Sequence, residues 1–128
     1  MIVRDVMINN VITISPFATL REALSLLKSK NIKSLVVEKQ SEHDAYGLIT
    51  YTNILKTVIA EDGDIDLLNV YDVCVKPALA VGESMGLKHV AGLMSQHHVK
   101  RLLVVNDNEL VGFVSMNDIM EELLKRID

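Results

Sequence analysis

The chain has 128 residues, of which 49% are hydrophobic and 23% are charged, and its formal net charge is −4. This length fits one globular domain, or two half-size units that share a core, and the negative charge disfavours the broad basic surface that nucleic-acid binding requires. The apolar residues occur in short runs such as 102–105, far below the roughly 20 needed to cross a bilayer, and no signal segment is visible. We therefore expect a cytoplasmic protein that neither binds nucleic acid nor inserts into a membrane.

Two copies of one pattern fill the sequence. Residue 3 matches residue 70, a shift of 67 (70 minus 3), and the match runs without a gap to residue 37. Beyond residue 38 the shift becomes 65, because the second copy has a loop two residues shorter. Because an internal repeat defines the structural unit, we place the first copy at 1–60, an acidic linker at 61–69 and the second copy at 70–128.

In the first copy, the elements begin with a short β-rich segment at 11–14, which ends before Pro16, a residue that cannot donate to a strand ladder. Thr19 and Glu22 fit a capping box, and apolar residues at helical spacing predict a helix over 20–30. Strands at 34–38 and 46–50 and a closing helix at 52–60 complete the unit.

The second copy repeats this plan. Gly86 is a weaker N-cap for the matching helix, whose apolar stripe is Leu87, Val90, Ala91 and Met94. Strands at 102–106 and 110–115 are joined through the sequence NDNE, which favours a hairpin turn. A helix over 117–127 closes the unit. Each copy therefore has the order β-α-β-β-α, and the fold class is α/β (α+β).

The junction between the last strand and the last helix carries the candidate polar site. Ser115 as N-cap and Asp118 three residues later fit a capping box, and the acid also suits the positive end of the helix dipole. The same place suits a ligand, because free N–H groups at a helix start bind anions and a carboxylate accepts hydrogen bonds from ribose hydroxyls. The basic segment 96–102, QHHVKRL, fits a solvated strand edge as readily as a small anion site.

The two copies end in similar segments, GLITYTNI at 47–54 and GFVSMNDI at 112–119. Together with the repeated β-α-β-β-α order, they resemble a tandem pair of cystathionine beta-synthase (CBS) domains over residues 3 to 123. The resemblance implies a Bateman module, in which two pseudo-twofold-related repeats pack through their three-stranded sheets. It also implies clefts between the repeats that bind AMP, ADP, ATP, S-adenosylmethionine or NAD as regulatory ligands, with no required cofactor, and that signal to an effector protein.

The resemblance also implies roles for individual residues. Asp118 matches the acid that binds the ribose, Ser115 matches a nearby hydroxyl, and the pair at 100–101 matches the cations that reach the phosphates. The full set of implied ligand-binding residues is Asp118, Ser115, Arg101, Lys100, Asn117, Phe113, Thr13, Ala18, Ile32 and Lys33, of which the last four would line the adenine side.

The mirror cleft has weaker chemistry. Thr50 keeps the hydroxyl, but Asn53 replaces the acid and Ser34 stands where the other copy has Arg101. An amide loses the charge-assisted gain of a carboxylate, which is roughly a factor of two in bond strength. We expect one competent site, and a second, weaker site stays open.

Other classes of function have less support. Cys74 is the single cysteine and lies among apolar residues, and His89 and His97 have no third ligand at a zinc-like interval. The acidic stretch at 61–66 lacks the glycine and glutamate that a calcium loop needs, and the chain has no glycine-rich phosphate loop or nucleophile elbow. We therefore expect neither catalysis nor a bound metal.

The main alternative is a dimerisation or protein-interaction module that binds no small molecule. Helices 20–30 and 117–126 are its candidate contacts between two chains. A homodimer is compatible with both interpretations, because isologous dimers are the commonest oligomers.

Overall fold

A computed structural model of the protein describes residues 1–127, and these residues form two compact units. The N-terminal unit is Ile12–Ala78, and the C-terminal unit combines Met1–Val11 with the chain from Leu79 onward. The division differs from the sequence repeats at both boundaries. Residues 1–11 lie with the second copy, and residues 61–78 lie with the first.

The N-terminal unit holds one three-stranded sheet. Strand β1 (Thr13–Ile14) pairs in parallel with β2 (Ser34–Val37), and β2 pairs antiparallel with β3 (Gly47–Thr50). The elements are β1 (Thr13–Ile14), α1 (Leu20–Lys30), β2 (Ser34–Val37), β3 (Gly47–Thr50), α2 (Tyr51–Leu55), a π-helical segment (Lys56–Ala60) and α3 (Val70–Val73).

Helix α1 begins and ends where local signals predict. The Thr19 hydroxyl accepts a hydrogen bond from the backbone N–H of Glu22 at 3.2 Å, which satisfies one of the free amides at the helix start. The helix ends at Asn31, whose φ of 53° lies in the left-handed region. Its buried face carries Leu20, Ala23 and Leu27, which pack into the core of the unit. The predicted helix over 20–30 is confirmed.

The C-terminal unit repeats the same sheet. Strand β4 (Ala80–Gly82) pairs in parallel with β5 (Arg101–Asn106), and β5 pairs antiparallel with β6 (Glu109–Ser115). Its elements, after a 3-10 helical turn at Val3–Asp5, are β4 (Ala80–Gly82), α4 (Leu87–His97), β5 (Arg101–Asn106), β6 (Glu109–Ser115) and α5 (Met116–Leu124).

Turn chemistry explains two boundaries in this unit. Asp107 and Asn108 both have positive φ, 52° and 61°, as a type I′ hairpin turn requires, so the predicted hairpin is confirmed. His98 is the C-cap that follows helix α4, and its φ of 55° is close to the 53° of Asn31, the C-cap of α1. The interpretation of 96–102 as a strand edge holds only for Arg101 and Leu102, because His97 closes a helix and β5 begins at Arg101.

The closing helices differ between the copies. In the first copy the helix becomes π-helical from Lys56, and the Glu61 N–H donates to the Lys56 carbonyl five residues earlier at 3.1 Å. In the second copy α5 is regular to Leu124. No helix within residues 1–127 has the length and apolar character needed to cross a bilayer.

The opening turn of each copy packs in the unit that is built mainly from the other copy. The Val3 N–H donates to the Met85 carbonyl at 2.9 Å, and at the matching place the Val70 N–H donates to the Ala18 carbonyl at 2.8 Å. Val3 and Val70 are both fully buried. Because these are long-range contacts that join distant parts of the chain, neither turn was predicted.

A second pair of long-range backbone contacts covers one edge of each sheet. Ile8 pairs with Phe113 of β6 through hydrogen bonds of 2.8 and 3.0 Å, and Val75 pairs with Leu48 of β3 through two bonds of 2.9 Å. Gly112 permits the first approach, because a Cβ there would lie 2.6 Å from the Ile8 carbonyl oxygen. Covered edges protect the sheets against pairing with other chains.

Asp44 and Lys76 form an ion pair in the N-terminal unit, with 2.8 Å between Asp44 Oδ2 and Lys76 Nζ. The hydrogen bond from Lys76, helped by one from the Gln40 N–H, lowers the pKa of Asp44 from 3.8 to about 2. Because the folded-state pKa is the lower one, the stabilisation is present above about pH 4 and is lost as the pH falls to about 2.

We therefore expect an NMR titration of the Asp44 carboxyl carbon to give a midpoint of about 2. The variant Asp44→Asn should flatten the dependence of the unfolding free energy on pH in the same acid range. A midpoint at the ordinary value of 3.8 would contradict the ion pair.

Candidate functional site

The start of α5 is a reciprocal capping box. Ser115 donates from its backbone N–H and its hydroxyl to Asp118 Oδ2, at 2.9 and 2.7 Å, and the Asp118 N–H donates back to Ser115 Oγ at 3.1 Å. Both side chains are half-buried. The predicted cap is confirmed. Within residues 1–127, both hydrogen bonds to the Asp118 carboxylate go to Oδ2. An ionised carboxylate offers about four acceptor positions, so Oδ1 retains acceptor capacity.

The first turn of α5 leaves one backbone donor. The Met116 N–H donates to the Lys100 carbonyl at 2.8 Å, and the Asp118 N–H is occupied by Ser115. The Asn117 N–H lies between them and has no partner within residues 1–127. Because a helix start carries a partial positive charge, a free N–H there is a donor for an anionic group.

The sheet brings the basic pair to this helix start. Arg101 lies directly opposite Ser115 in the ladder between β5 and β6, and such pairs have Cβ atoms about 5 Å apart on one face. Phe113 lies two residues before Ser115, so both project from the same face. Lys100 precedes Arg101 and is exposed, whereas Arg101 is half-buried. Arg101 therefore occupies the ladder position opposite Ser115, at the junction where the hydroxyl and the carboxylate lie and β6 runs into α5.

The N-terminal unit builds the same junction with less charge. Thr50 donates from its N–H and its hydroxyl to Asn53 Oδ1 at 3.1 and 2.9 Å, and the Asn53 N–H returns to Thr50 Oγ1 at 3.2 Å. Ser34 lies opposite Thr50, as Arg101 lies opposite Ser115. The Lys33 ammonium lies 5.8 Å from the ring centroid of Tyr51. Asparagine thus reproduces the cap without its negative charge.

The implied site residues fall into two groups. Six belong to the C-terminal unit, around the start of α5, namely Lys100, Arg101, Phe113, Ser115, Asn117 and Asp118. The other four, Thr13, Ala18, Ile32 and Lys33, belong to the N-terminal unit. Thr13 and Lys33 are exposed there, and Ala18 and Ile32 pack against the core. The role of these four at an adenine ring stays a prediction from the resemblance.

Sequence reasoning missed two features of this region. It expected free N–H groups at this helix start but did not identify Asn117 as the residue that carries the free one. It also missed an exposed aromatic pair formed by Phe17 and Tyr71. The two residues are 54 positions apart (71 minus 17), so no local pattern joins them.

Cys74 and the potential metal ligands are the remaining reactive side chains. Burial raises the pKa of the Cys74 thiol, with a smaller opposing effect from Lys76, which disfavours the reactive thiolate. Within residues 1–127, no three His, Cys, Asp or Glu side chains are grouped as a metal ion would require.

Comparison with known proteins identifies the family. The family model for the CBS domain matches twice, at residues 3–60 and 70–125. A CBS domain-containing protein of Bacillus subtilis, YhcV, is 32% identical over 117 residues, which cover 91% of this chain and 81% of that protein. The chain spans between 22% and 61% of the length of seven other curated relatives that it matches.

Solved structures agree with the family match. A hexameric CBS-CP12 protein from bloom-forming cyanobacteria is 32% identical, with a TM-score of 0.92, and the match covers all of this chain and 72% of that one. The CBS domain pair of protein MJ0100, in complex with 5′-methylthioadenosine and S-adenosyl-L-methionine, is 25% identical with a TM-score of 0.83, covering 96% and 99% of the two chains. The mixed α/β fold class is confirmed, and this chain belongs to the CBS domain family as a tandem CBS pair.

Proposed function

We propose that this CBS pair is a regulatory module that binds an adenosine-containing ligand at the start of α5. The observation that carries the proposal is the placement of Ser115, Asp118 and the free Asn117 N–H at one strand-to-helix junction, with Arg101 opposite Ser115 in the strand ladder. The similar CBS pair of MJ0100 binds two adenosine compounds, which supports the ligand class.

Each group at the junction suits one part of such a ligand. Asp118 Oδ1 accepts from a ribose hydroxyl, while Oδ2 keeps its bonds to Ser115. The Asn117 N–H and the Arg101 guanidinium donate to a phosphate, and Lys100 adds a mobile positive charge. Recognition of ribose and phosphate together would distinguish a nucleotide from a bare nucleobase.

Regulation requires no chemistry on the ligand. A ligand shifts a conformational equilibrium only by its differential affinity for the two states. We accordingly propose a cytoplasmic module with no catalytic activity of its own, which signals to an effector protein.

A calorimetric and thermal-shift panel of AMP, ADP, ATP, S-adenosylmethionine and NADH tests the proposal. A ligand that binds only the native state stabilises it by RT ln(1 + [L]/Kd), about 2.7 kcal/mol at a hundredfold excess over Kd. We expect at least one of the five to bind saturably with one dominant site per chain. Absence of binding by all five would contradict the proposal and favour a pure interaction module.

The variant Arg101→Ser should separate phosphate from ribose recognition. It installs the residue that the first copy carries at the matching position, so the strand is expected to fold normally. Because a hydrogen bond to a charged group contributes about 1.5–3 kcal/mol, we expect AMP affinity to fall about ten- to a hundredfold. Adenosine, which has no phosphate, should bind as it does to the wild type in the same calorimetric titration.

Lys88→Ala is the matched control, because Lys88 is an exposed cation on α4 of the same unit. It should leave AMP affinity within a factor of about two. If Arg101→Ser weakened adenosine and AMP equally, the guanidinium would not contact the phosphate.

The exposed apolar side of α5 favours the interaction module as a second function. Met120, Leu123 and Leu124 are each about half exposed, at 49%, 52% and 56%. Because apolar side chains clustered on one helix mark protein contacts, we propose a homodimer through α5. Sedimentation velocity should give twice the monomer mass, and Leu123→Glu should reduce it to the monomer.

A further inference from the structure

We propose that the exposed pair Phe17 and Tyr71 is the docking surface for an arginine-bearing apolar segment of a protein partner. The two rings meet edge to face, with centroids 6.1 Å apart and planes inclined by 66°. Phe17 is 66% exposed and Tyr71 is 55% exposed. We call these two side chains the aromatic patch. Large apolar rings left in water at one place mark an interaction surface, and tyrosine is enriched among residues that dominate interface energies.

Hydrogen bonds to the backbone of both residues hold the aromatic patch in place. The Tyr71 N–H donates to the Pro16 carbonyl at 3.0 Å, and Asn69 Nδ2 donates to the Phe17 carbonyl at 3.0 Å. Val70, between Asn69 and Tyr71, is fully buried. The patch therefore needs little ordering when a partner binds, which lowers the entropic cost of association.

The internal repeat shows that the fold does not require aromatic residues here. The positions that match Phe17 and Tyr71 are Ser84 and Arg4 in the C-terminal unit. There the Arg4 N–H donates to the Glu83 carbonyl at 2.9 Å, as Tyr71 donates to Pro16. The Arg4 guanidinium lies 3.4 Å from Ser84 Oγ and 3.5 Å from the Glu83 carboxylate. The same junction is thus built with polar side chains in one unit and with exposed rings in the other.

Acidic residues close to Tyr71 in the sequence select the partner. The segment 61–72, which ends beside Tyr71, carries five acids and no lysine or arginine. Within residues 1–127, Asp66 alone among these acids has an ion pair, which it forms with Arg21. Asp64 also interacts electrostatically with Arg21, and within residues 1–127 Glu61, Asp62 and Asp72 form no ion pair.

Arginine is the side chain that fits both parts of this surface. Its guanidinium stacks on aromatic faces and also pairs with carboxylates, and neighbouring apolar side chains would cover the rings. The same acids repel the phosphates of nucleic acids and of anionic lipids, which disfavours both as occupants. The proposal does not depend on ligand binding at α5, which belongs to the C-terminal unit.

Fluorescence anisotropy with a labelled peptide that alternates arginine and leucine tests the proposal. We expect the wild type to bind it saturably and to ignore a peptide that alternates glutamate and leucine. Phe17→Ser/Tyr71→Ser keeps the net charge unchanged, and it should weaken binding at least about tenfold. Ile59→Ser is the matched control, because Ile59 is 67% exposed in the same unit, and it should bind as the wild type does.

A second pair of variants guards against a folding defect. Phe17→Ser and Tyr71→Arg each install the residue that the other unit carries at the matching position, so both should keep the wild-type circular dichroism and melting temperature. Each should still weaken the arginine–leucine peptide severalfold.

Five results would overturn the proposal. The first three are no binding of the arginine–leucine peptide by the wild type, equal binding by the wild type and Phe17→Ser/Tyr71→Ser, and an equal loss of binding in Ile59→Ser. The fourth is binding of oligothymidylate or of phosphatidylglycerol vesicles that is lost in Phe17→Ser/Tyr71→Ser. A change in sedimentation coefficient caused by Phe17→Ser/Tyr71→Ser would also count against it, because the occupant would then be a second copy of this chain.

Discussion

Replacing Asp118 with alanine is expected to lower the affinity for the adenosine ligand about a hundredfold. The carboxylate would lose its bonds to the ribose, and hydrogen bonds to a charged group contribute about 1.5–3 kcal/mol each, where 1.4 kcal/mol corresponds to a factor of ten. Isothermal titration calorimetry of the ligand found in the panel measures this loss directly.

Asp118→Ala also removes half of a capping box, so ligand binding and helix capping must be separated. Asp118→Asn does this, because Asn53 forms the same three hydrogen bonds with Thr50 in the first copy. We expect Asp118→Asn to keep wild-type stability and still bind about tenfold more weakly, since it loses the charge-assisted part of the bond. If Asp118→Asn bound the ligand as tightly as the wild type, the acid would serve as a cap alone.

Placing a charge at Val3 is expected to unfold the C-terminal unit. Val3 is fully buried in an apolar cluster with Val90, Leu102 and Val114. An unpaired buried carboxylate costs several kcal/mol, against a total stability of about 5–15 kcal/mol for a typical domain. Urea unfolding of Val3→Asp, followed by circular dichroism, should show a large loss in the midpoint concentration or no folded baseline.

Asn9→Asp is the matched control for this variant, because it adds the same charge at an exposed position of the same opening segment. Surface substitutions usually change stability by no more than about 0.5 kcal/mol, so its unfolding curve should follow that of the wild type. If Val3→Asp and Asn9→Asp unfolded alike, the opening turn would not be docked in the C-terminal unit.

Elements with strong local signals were predictable. Helix α1 occupies the predicted range, and α4 follows Gly86 as predicted, because apolar spacing indicates both helices and Thr19 or Gly86 marks their start. The Asp107–Asn108 turn followed from residues that tolerate positive φ. The cap of α5 followed from the spacing of Ser115 and Asp118.

Elements fixed by long-range contacts were not predictable. The turns at Val3–Asp5 and Val70–Val73 are too short to show a helical period, and each is held by bonds to the unit built mainly from the other copy. The segment at 61–69 was predicted to be a linker because it is acidic. It is instead hydrogen-bonded to the start of α1, where the Leu20 N–H donates to the Leu68 carbonyl at 3.0 Å. The ligand role of the polar junction likewise rests on family resemblance, because the same residues also explain a helix cap.

Residue-resolved NMR is the most direct test of the proposed ligand site at the start of α5. In a titration of isotope-labelled protein with AMP, and with S-adenosylmethionine in parallel, the amides of Lys100, Arg101, Asn117 and Asp118 should shift saturably with a common Kd. The Asn117 amide should move most, because its N–H is the unoccupied donor at the start of α5. Saturable shifts confined to other parts of the chain, or no shift with either ligand, would contradict the proposed site.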